Sequence, residues 1–275
     1  MNIIKILSDE LKITEKQVEN TLKLIDEGNT IPFIARYRKE LTGSLDDEIL
    51  RQFDARLTYL RSLDERREEI TRLIDEQGKL TDELKEKIDA ALTLSELEDI
   101  YRPYRPKRRT RATIAAEKGL EPLADLIFLQ SEKRGNPADY AEKYIDPEKG
   151  VNTAEEALGG AADIIAERIS DDADIRKAVR NASIAGGVIR TNAKTDEDSV
   201  YSMYYDYTES VKNAAGHRIL AINRGEKENF LSVSIECDDG KIINKICNMT
   251  VRESIFTDIM KATAADAYSR LIKPS

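Results

Sequence analysis

Between residues 45 and 74 apolar side chains recur at three- and four-residue steps: Leu45, Ile49, Phe53, Leu57, Leu60, Leu63, Ile70 and Ile74, with one long gap before Ile70. A stripe of that period lies along one face of an α-helix and cannot lie along a strand, so a long helix with a buried seam has to organise what surrounds it. The spacing predicts a helix capped by Ser44, with Asp46, Asp47 and Glu48 in the first turn at the positive end of its dipole, stopping at Gln77-Gly78. Thr81 opens a second helix, whose Leu84, Ile88 and Leu92 are spaced to fold back on the first as a helical hairpin. The charged run Asp64 to Glu69 reads as a solvated face of the long helix.

The flanking sequence is helical too. Asn2 to Lys12 predicts a short amphipathic helix with Ile3, Ile4, Leu7 and Leu11 inward, and Thr14 caps a second with Val18, Leu22 and Ile25 as its stripe, ended by Gly28-Asn29. After Ile31-Pro32 a third runs to about Leu41, grouping Phe33, Ile34 and Tyr37 while Arg36, Arg38 and Lys39 alternate around it. Three short helices with tight turns suggest a helix-turn-helix-like start. Further helices are expected over 112–118, 122–130, 137–144, 153–169 and 173–184. Gly186-Gly187 and the polar stretch Thr191 to Asp198 mark a boundary, which gives a helical domain over 1–185 and a second segment over 186–275. In that segment Leu231, Val233, Ile235 and Cys237 alternate with polar residues, and Asp238-Asp239-Gly240 leads into Ile242, Ile243 and Ile246. The pattern reads as a β-hairpin over about 230–247. A closing helix from about Glu253 to Ile272 would turn Ile255, Ile259, Ala262, Ala265 and Ile272 inward. The fold class is mainly α, with a helix-turn-helix-like start, a long helical hairpin, a multi-helix array and one small β-hairpin.

Composition narrows the function. The chain has 275 residues, 40% hydrophobic and 35% charged, enough to bury a sizeable core and too apolar for disorder. Charges interrupt every apolar run well short of the ~18 residues a membrane span needs. Lys5, Asp9, Glu10 and Lys12 break up the start where a signal peptide would be apolar, so a cytoplasmic location is expected, with no membrane partner. The two cysteines, Cys237 and Cys247, form no metal pattern, and the single histidine, His217, leaves one place for a nucleophile–histidine pair. No phosphate-cradling glycine motif is present, and no cofactor, metal or catalytic residue is expected. The seam around Leu57 fits a second copy as well as a hairpin partner, so the oligomeric state stays open.

A formal net charge of −9 argues against general nucleic-acid coating, yet Tyr101-Arg-Pro-Tyr-Arg-Pro-Lys-Arg-Arg-Thr-Arg111 holds Arg102, Arg105, Lys107, Arg108, Arg109 and Arg111 with no acidic residue. Its prolines forbid a regular helix, and an extended basic segment with Tyr101 and Tyr104 interleaved can follow a phosphate backbone and stack bases. Glu96, Glu98 and Asp99 just before it supply the other reading, in which the arginines tie the protein together through carboxylate pairs. His217, beside Arg218, is expected to cap or hydrogen-bond a helix, and Glu226 to pair with Arg224 or Arg218 as an internal clamp. Tyr201, Tyr204, Tyr205 and Tyr207 form the densest aromatic cluster; if the segment is helical at least two point into the core, and core or domain-interface packing is expected ahead of base stacking.

Three motifs carry a resemblance. Ile31-Pro-Phe-Ile-Ala-Arg-Tyr-Arg-Lys-Glu-Leu-Thr-Gly43 followed by Leu45-Asp-Asp-Glu48 resembles the signature near the start of the Tex family of transcription accessory proteins. The stretch Tyr101 to Thr110 with Gly119-Leu-Glu-Pro-Leu123 resembles that family's basic loop, and His217-Arg-Ile-Leu-Ala221 with Arg224-Gly-Glu226 resembles a later motif. The resemblance implies the N-terminal helical region of such a protein, with a ribonuclease-H-like domain, helix-hairpin-helix elements and an OB-fold RNA-binding domain lying outside this chain. It implies a non-enzymatic role, contributing to binding of RNA or DNA in transcription, weakly in this region alone, with the transcription machinery as a partner. The residues expected to meet nucleic acid are Arg36, Arg38, Lys39, Arg102, Tyr104, Arg105, Lys107, Arg108, Arg109 and Arg111. The alternative is a helical scaffold that positions the other domains or binds a protein partner.

Overall fold

The structure is a computed structural model and describes residues 2–106 and 108–275. These form two compact units, Met1–Tyr104 and Arg105–Ser275. The boundary expected at 185/186 falls inside the second unit. As expected the chain is mainly α, with fourteen α-helices and one small antiparallel sheet among the described residues.

The first unit is built along one helix. Helices α1 (Ile3–Leu11), α2 (Glu15–Asp26) and α3 (Ile31–Tyr37) precede α4 (Asp47–Asp75), which α5 (Asp82–Ala90) and α6 (Leu94–Tyr101) follow. Thr14 caps α2 in a reciprocal box with Gln17. The cap of α4 is Asp46, whose side chain accepts from the Ile49 N–H at 2.8 Å, and the expected cap Ser44 instead takes φ +63° in the turn before it. Toward its N-terminal half α4 buries Phe53, Leu57 and Leu60 against Leu7 of α1 and Val18 of α2. Toward its C-terminal half it buries Leu63, Ile70 and Ile74 against Ile88, Ala91, Leu97 and Tyr101. Leu84 packs beside this cluster as expected, whereas Leu92 is 65% exposed.

The gap in the stripe is filled by a charge. Arg67 stands four residues after Leu63 and three before Ile70, on the buried face, and is 6% exposed. Its Nε donates to the Ile88 carbonyl at 3.1 Å, its Nη2 to the Ala91 carbonyl at 2.8 Å and its Nη1 to Asp64 at 2.7 Å. The guanidinium thus gives the Ala91 carbonyl a donor and the Ile88 carbonyl a second one beside the Ala91 N–H, at the C-terminal end of α5, where the helix dipole favours a cation. The run Asp64 to Glu69 is therefore not a wholly solvated face.

In the second unit α10 (Ala154–Asp171) is the axis, with α7 (Arg111–Glu117), α8 (Glu121–Leu129) and α9 (Pro137–Ala141) packed on it. Ala157, Gly160 and Ala161 keep its surface low, and a Cβ on Gly160 would run into Leu120 and stand 3.3 Å from Ala115. Helix α11 (Ala173–Gly186) leads directly into β1 (Val188–Ala193), so the stretch expected as a linker is in part a strand. It is the middle one: β2 (Asp206–Ser210) and β3 (Leu231–Glu236) flank it in the order β2-β1-β3, with Thr191 opposite Tyr207 and Val233. Helix α12 (Gly216–Lys227) covers the sheet through Ile222 and Gly225.

The expected hairpin is replaced. Residues 231–236 do form a strand, but it pairs with β1, and Asp238 caps a helix, α13 (Asp239–Thr250), by accepting from the Lys241 N–H at 3.0 Å. Ile242 and Ile246, four apart, are then buried on one helix face. The acidic pair that resembles a turn is a helix start. The last helix, α14 (Thr257–Asp266), begins later than expected and widens into a π turn over Ala267–Ile272. Its buried side is Met260, Thr263, Ala264, Ala267, Tyr268 and Ile272, while Ala262 is exposed.

Arg67→Ala removes both side-chain bonds to the end of α5 and leaves the Ile88 carbonyl with only the Ala91 N–H, so urea unfolding should show about 2–4 kcal/mol lost, with Arg67→Lys recovering part. A Cβ on Gly225 would lie 2.7 Å from Leu231 Cδ1 and 3.1 Å from Tyr201 Cδ1. Gly225→Ala is expected to cost about 1–3 kcal/mol on the same measurement.

Candidate nucleic-acid interface

Of the basic segment, Tyr101 ends α6 at 5% exposure, with the Arg66 guanidinium 5.4 Å from its ring centroid, so it belongs to the core and offers no face to a base. Arg102 opens a 3₁₀ turn, Arg102–Tyr104, and both end residues are half-buried. The Tyr104 carbonyl accepts from Gln77 Nε2 at 2.9 Å, which fixes the turn to the end of α4. Arg105, Arg108 and Arg109 are exposed and lie in no helix or strand, Arg111 is exposed as the first residue of α7, and Lys107 lies outside the described residues. Arg109 pairs with Glu117 at 2.7 Å. Thr110 caps α7, and its hydroxyl also donates to Glu167 at 3.2 Å, so the far end of the segment is anchored on α10. Of the acidic residues before the segment, Glu98 receives Arg66 at 2.6 Å and Glu96 accepts the Leu92 N–H at 3.1 Å.

The other basic group is separate. Arg36 lies in α3, but that helix stops at Tyr37, short of the expected Leu41, so Arg38 is its C-cap and Lys39 sits in the following turn. All three are exposed. Ile34 seats α3 against Leu45 and Leu50 at the start of α4, whereas Tyr104 is tied to Gln77 just past its end. At 1.5 Å of rise per residue this puts the two basic groups of the first unit roughly 40 Å apart. They cannot form one contact surface there.

The motif around His217 is a clamp, with carboxylates other than the one expected. Arg218 pairs with Glu209 of β2 through both Nε, at 3.0 Å, and Nη2, and the Tyr207 hydroxyl donates to the same carboxylate at 2.8 Å. Arg224 Nε donates to Glu228 at 3.0 Å, and the Tyr201 hydroxyl to its other oxygen at 2.9 Å. Two tyrosine–glutamate–arginine triads thus fasten the ends of α12, while Glu226 is exposed. His217 is exposed in the first turn of α12 and does not cap it, the N-cap being Ala215 with no side-chain bond. Tyr201 and Tyr204 are buried, at the start and end of a single 3₁₀ turn, Ser202–Tyr204, and not along an α-helix. Glu209 and Glu228 carry no sequence signal, since nothing local marks one glutamate among many as the partner. Among the described residues no group of three or more His, Cys, Asp or Glu is placed to hold a metal.

The triads predict an acid dependence. Tyr201 and then Arg224 hold the Glu228 carboxyl below its usual range; for Glu209 partial burial works upward and is outweighed by Tyr207 and Arg218. Both carboxyls are depressed by folding, so their stabilisation is complete above the unfolded value of about 4.3 and is lost as pH falls through the lower folded-state values. The Glu209→Gln, Glu228→Gln protein should melt lower at pH 7 and lose less on acidification to pH 3 than the parent, as read by circular dichroism.

Comparison with known proteins places the whole arrangement. A model of the Tex-like protein N-terminal domain matches residues 1–75, and one of the Tex central region matches residues 132–271. The protein YdcI of Bacillus subtilis (strain 168) is 46% identical over 98% of this chain and 38% of its own length. The transcriptional accessory protein Tex of Neisseria gonorrhoeae is 42% identical over 86% of this chain and 31% of its own length. S1 RNA-binding domain-containing protein 1 of Homo sapiens is 29% identical over 99% of this chain and 29% of its own length. The chain spans less than two fifths of the length of these relatives. With the central-region match alone covering residues 132–271, the chain belongs to the Tex-like protein family.

Proposed function

We propose that the chain is the N-terminal, non-enzymatic region of a cytoplasmic Tex-like transcription accessory protein and contributes to nucleic-acid binding in transcription. The observation that carries this reading is the exposure of Arg105, Arg108 and Arg109 before α7 and of Arg111 at its first residue, in a chain whose net charge is −9. Cations concentrated against an acidic background make a local phosphate site without general affinity for polyanions. On this reading Arg102, Tyr104 and Lys107, neighbours in the sequence, also meet nucleic acid, and Arg36, Arg38 and Lys39 form a separate contact. Support comes from the relatives named as a transcriptional accessory protein and as an S1 RNA-binding domain-containing protein. RNA or DNA and the transcription machinery are the partners on this reading, and binding by this region alone is weak.

A scaffold role is the second reading, favoured by the Arg109–Glu117 pair and by Tyr101 lying under Arg66. One experiment separates them: the chain carrying Arg105→Glu, Lys107→Glu, Arg108→Glu and Arg109→Glu, titrated against fluorescent single-stranded and duplex RNA and DNA across a salt series. Nucleic-acid contact predicts at least a tenfold loss at low salt and a salt slope shallower by about 0.7 per lost contact on single strands, at a nearly constant melting temperature. Unchanged binding, or a lower melting temperature with no change in affinity, overturns it and leaves the scaffold.

A further inference from the structure

The outer side of α3 is built unlike a packing helix. Its inner side is satisfied by Ile34, fully buried against Leu24, Leu45 and Leu50. Outward, Phe33 and Tyr37, four residues apart, are 37% and 59% exposed, with ring centroids 5.2 Å apart at 49°. The Arg38 guanidinium lies 5.2 Å from the Phe33 centroid. Arg36 and Lys39 are exposed beside them, and among the described residues no carboxylate pairs with any of these three cations.

This knuckle is held without help from those side chains. Thr42 is fully buried, and its hydroxyl donates to the Lys39 carbonyl at 3.2 Å. Asn20 Nδ2 reaches the Leu41 carbonyl at 2.8 Å, Gln17 Nε2 the carbonyls of Thr42 and Gly43 at 3.3 and 3.2 Å, and the Ser44 N–H the Lys39 carbonyl at 2.7 Å. Gly43 and Ser44 both take positive φ, and a Cβ on Gly43 would stand 2.9 Å from Gln17 Nε2. A turn fixed by α2 therefore presents two aromatic rings and three cations; Arg38 Nη1 reaches the Tyr37 carbonyl at 3.4 Å and its guanidinium lies over Phe33, and among the described residues none of the three cations meets a carboxylate.

We propose that this knuckle binds a single-stranded nucleic acid, with unstacked bases against Tyr37 and Phe33 and flanking phosphates on Arg36, Arg38 and Lys39. The inference rests on the reading that this chain meets nucleic acid, and it adds the form recognised. A base needs a π-face beside a cation, which the rings and Arg38 supply. A duplex offers the knuckle phosphates only, its base faces being covered by one another. The exposed apolar groups here, Phe33, Tyr37 and Leu41, supply much less than the ~800 Å² per partner of a stable protein interface, but suffice for a few nucleotides.

The test is the 275-residue chain carrying Phe33→Leu and Tyr37→Leu, which keep apolar bulk and remove the π-faces. A labelled single-stranded oligonucleotide and the duplex of the same sequence are the probes, with circular dichroism confirming the fold. The expected result is about a tenfold or greater loss of single-strand affinity with duplex affinity and the salt slope unchanged. Equal loss on both probes, or none on either, overturns the proposal while the parent's own binding stands. If the parent binds neither probe, the reading beneath it falls as well. An acidic, leucine-containing peptide that binds the parent and not the variant, with single-strand affinity unchanged, overturns it in favour of a protein partner.

Discussion

The first unit depends on how α4 buries a face that contains an arginine. A seam of leucine and isoleucine could slide along or rotate against its neighbours, because dispersion contacts are many and weakly directional. Arg67 removes that freedom: three donors with fixed directions meet the Ile88 and Ala91 carbonyls and the Asp64 carboxylate, so α5 can end at only one place along α4. A buried guanidinium left unpaired costs several kcal/mol, which penalises every register but this one. The chain that leaves α5 therefore starts α6 at a set point, where the Tyr59 hydroxyl accepts the Leu94 N–H at 3.0 Å. The Arg102–Tyr104 turn at the end of α6 inherits its position from this chain of contacts.

The second unit solves a similar problem with small residues and with charges placed at the rim. Alanine and glycine along α10 let helix backbones approach closely, and dispersion over a large buried area then supplies the cohesion. The small sheet has too little core to hold itself. Gly225 brings α12 down onto Leu231 and Tyr201, and the two tyrosine–glutamate–arginine triads fasten that helix near both ends. The conspicuous histidine–arginine motif is in this sense largely architectural, its arginines being spent on internal carboxylates.

This division between spent and unspent cations organises the functional reading. Arg66, Arg67, Arg218 and Arg224 are engaged by carboxylates or carbonyls that the fold supplies. The turn that carries the cations of the α3 knuckle is held by backbone and by neutral side chains, Gln17, Asn20 and Thr42, and among the described residues no carboxylate meets them. The knuckle and the Arg102–Tyr104 turn stand at opposite ends of α4 and share no surface within the first unit.

The sequence by itself determined the helical class, the long helix and its hairpin partner, the Thr14 and Thr81 caps, the basic segment and the resemblance to the Tex family. These are properties of short windows: periodicity, capping residues and motifs act over one or two turns, where the chain itself sets the distances. Only the tertiary structure decided that Arg67 completes the seam, that Asp238 starts a helix where a turn was expected, that β1 pairs with both β2 and β3, and that Tyr101 is core while Tyr37 is surface. Most of these depend on a partner far along the chain: Ile88 for Arg67, Val233 and Tyr207 for Thr191, Arg66 for Tyr101; the Asp238 cap itself is local, to the Lys241 N–H, and follows from residues 231–236 pairing with β1 and not with the segment after them. A charged or aromatic side chain reads the same in sequence whether it faces water or a partner, and which it faces is fixed only when the fold brings that partner within hydrogen-bonding or van der Waals distance.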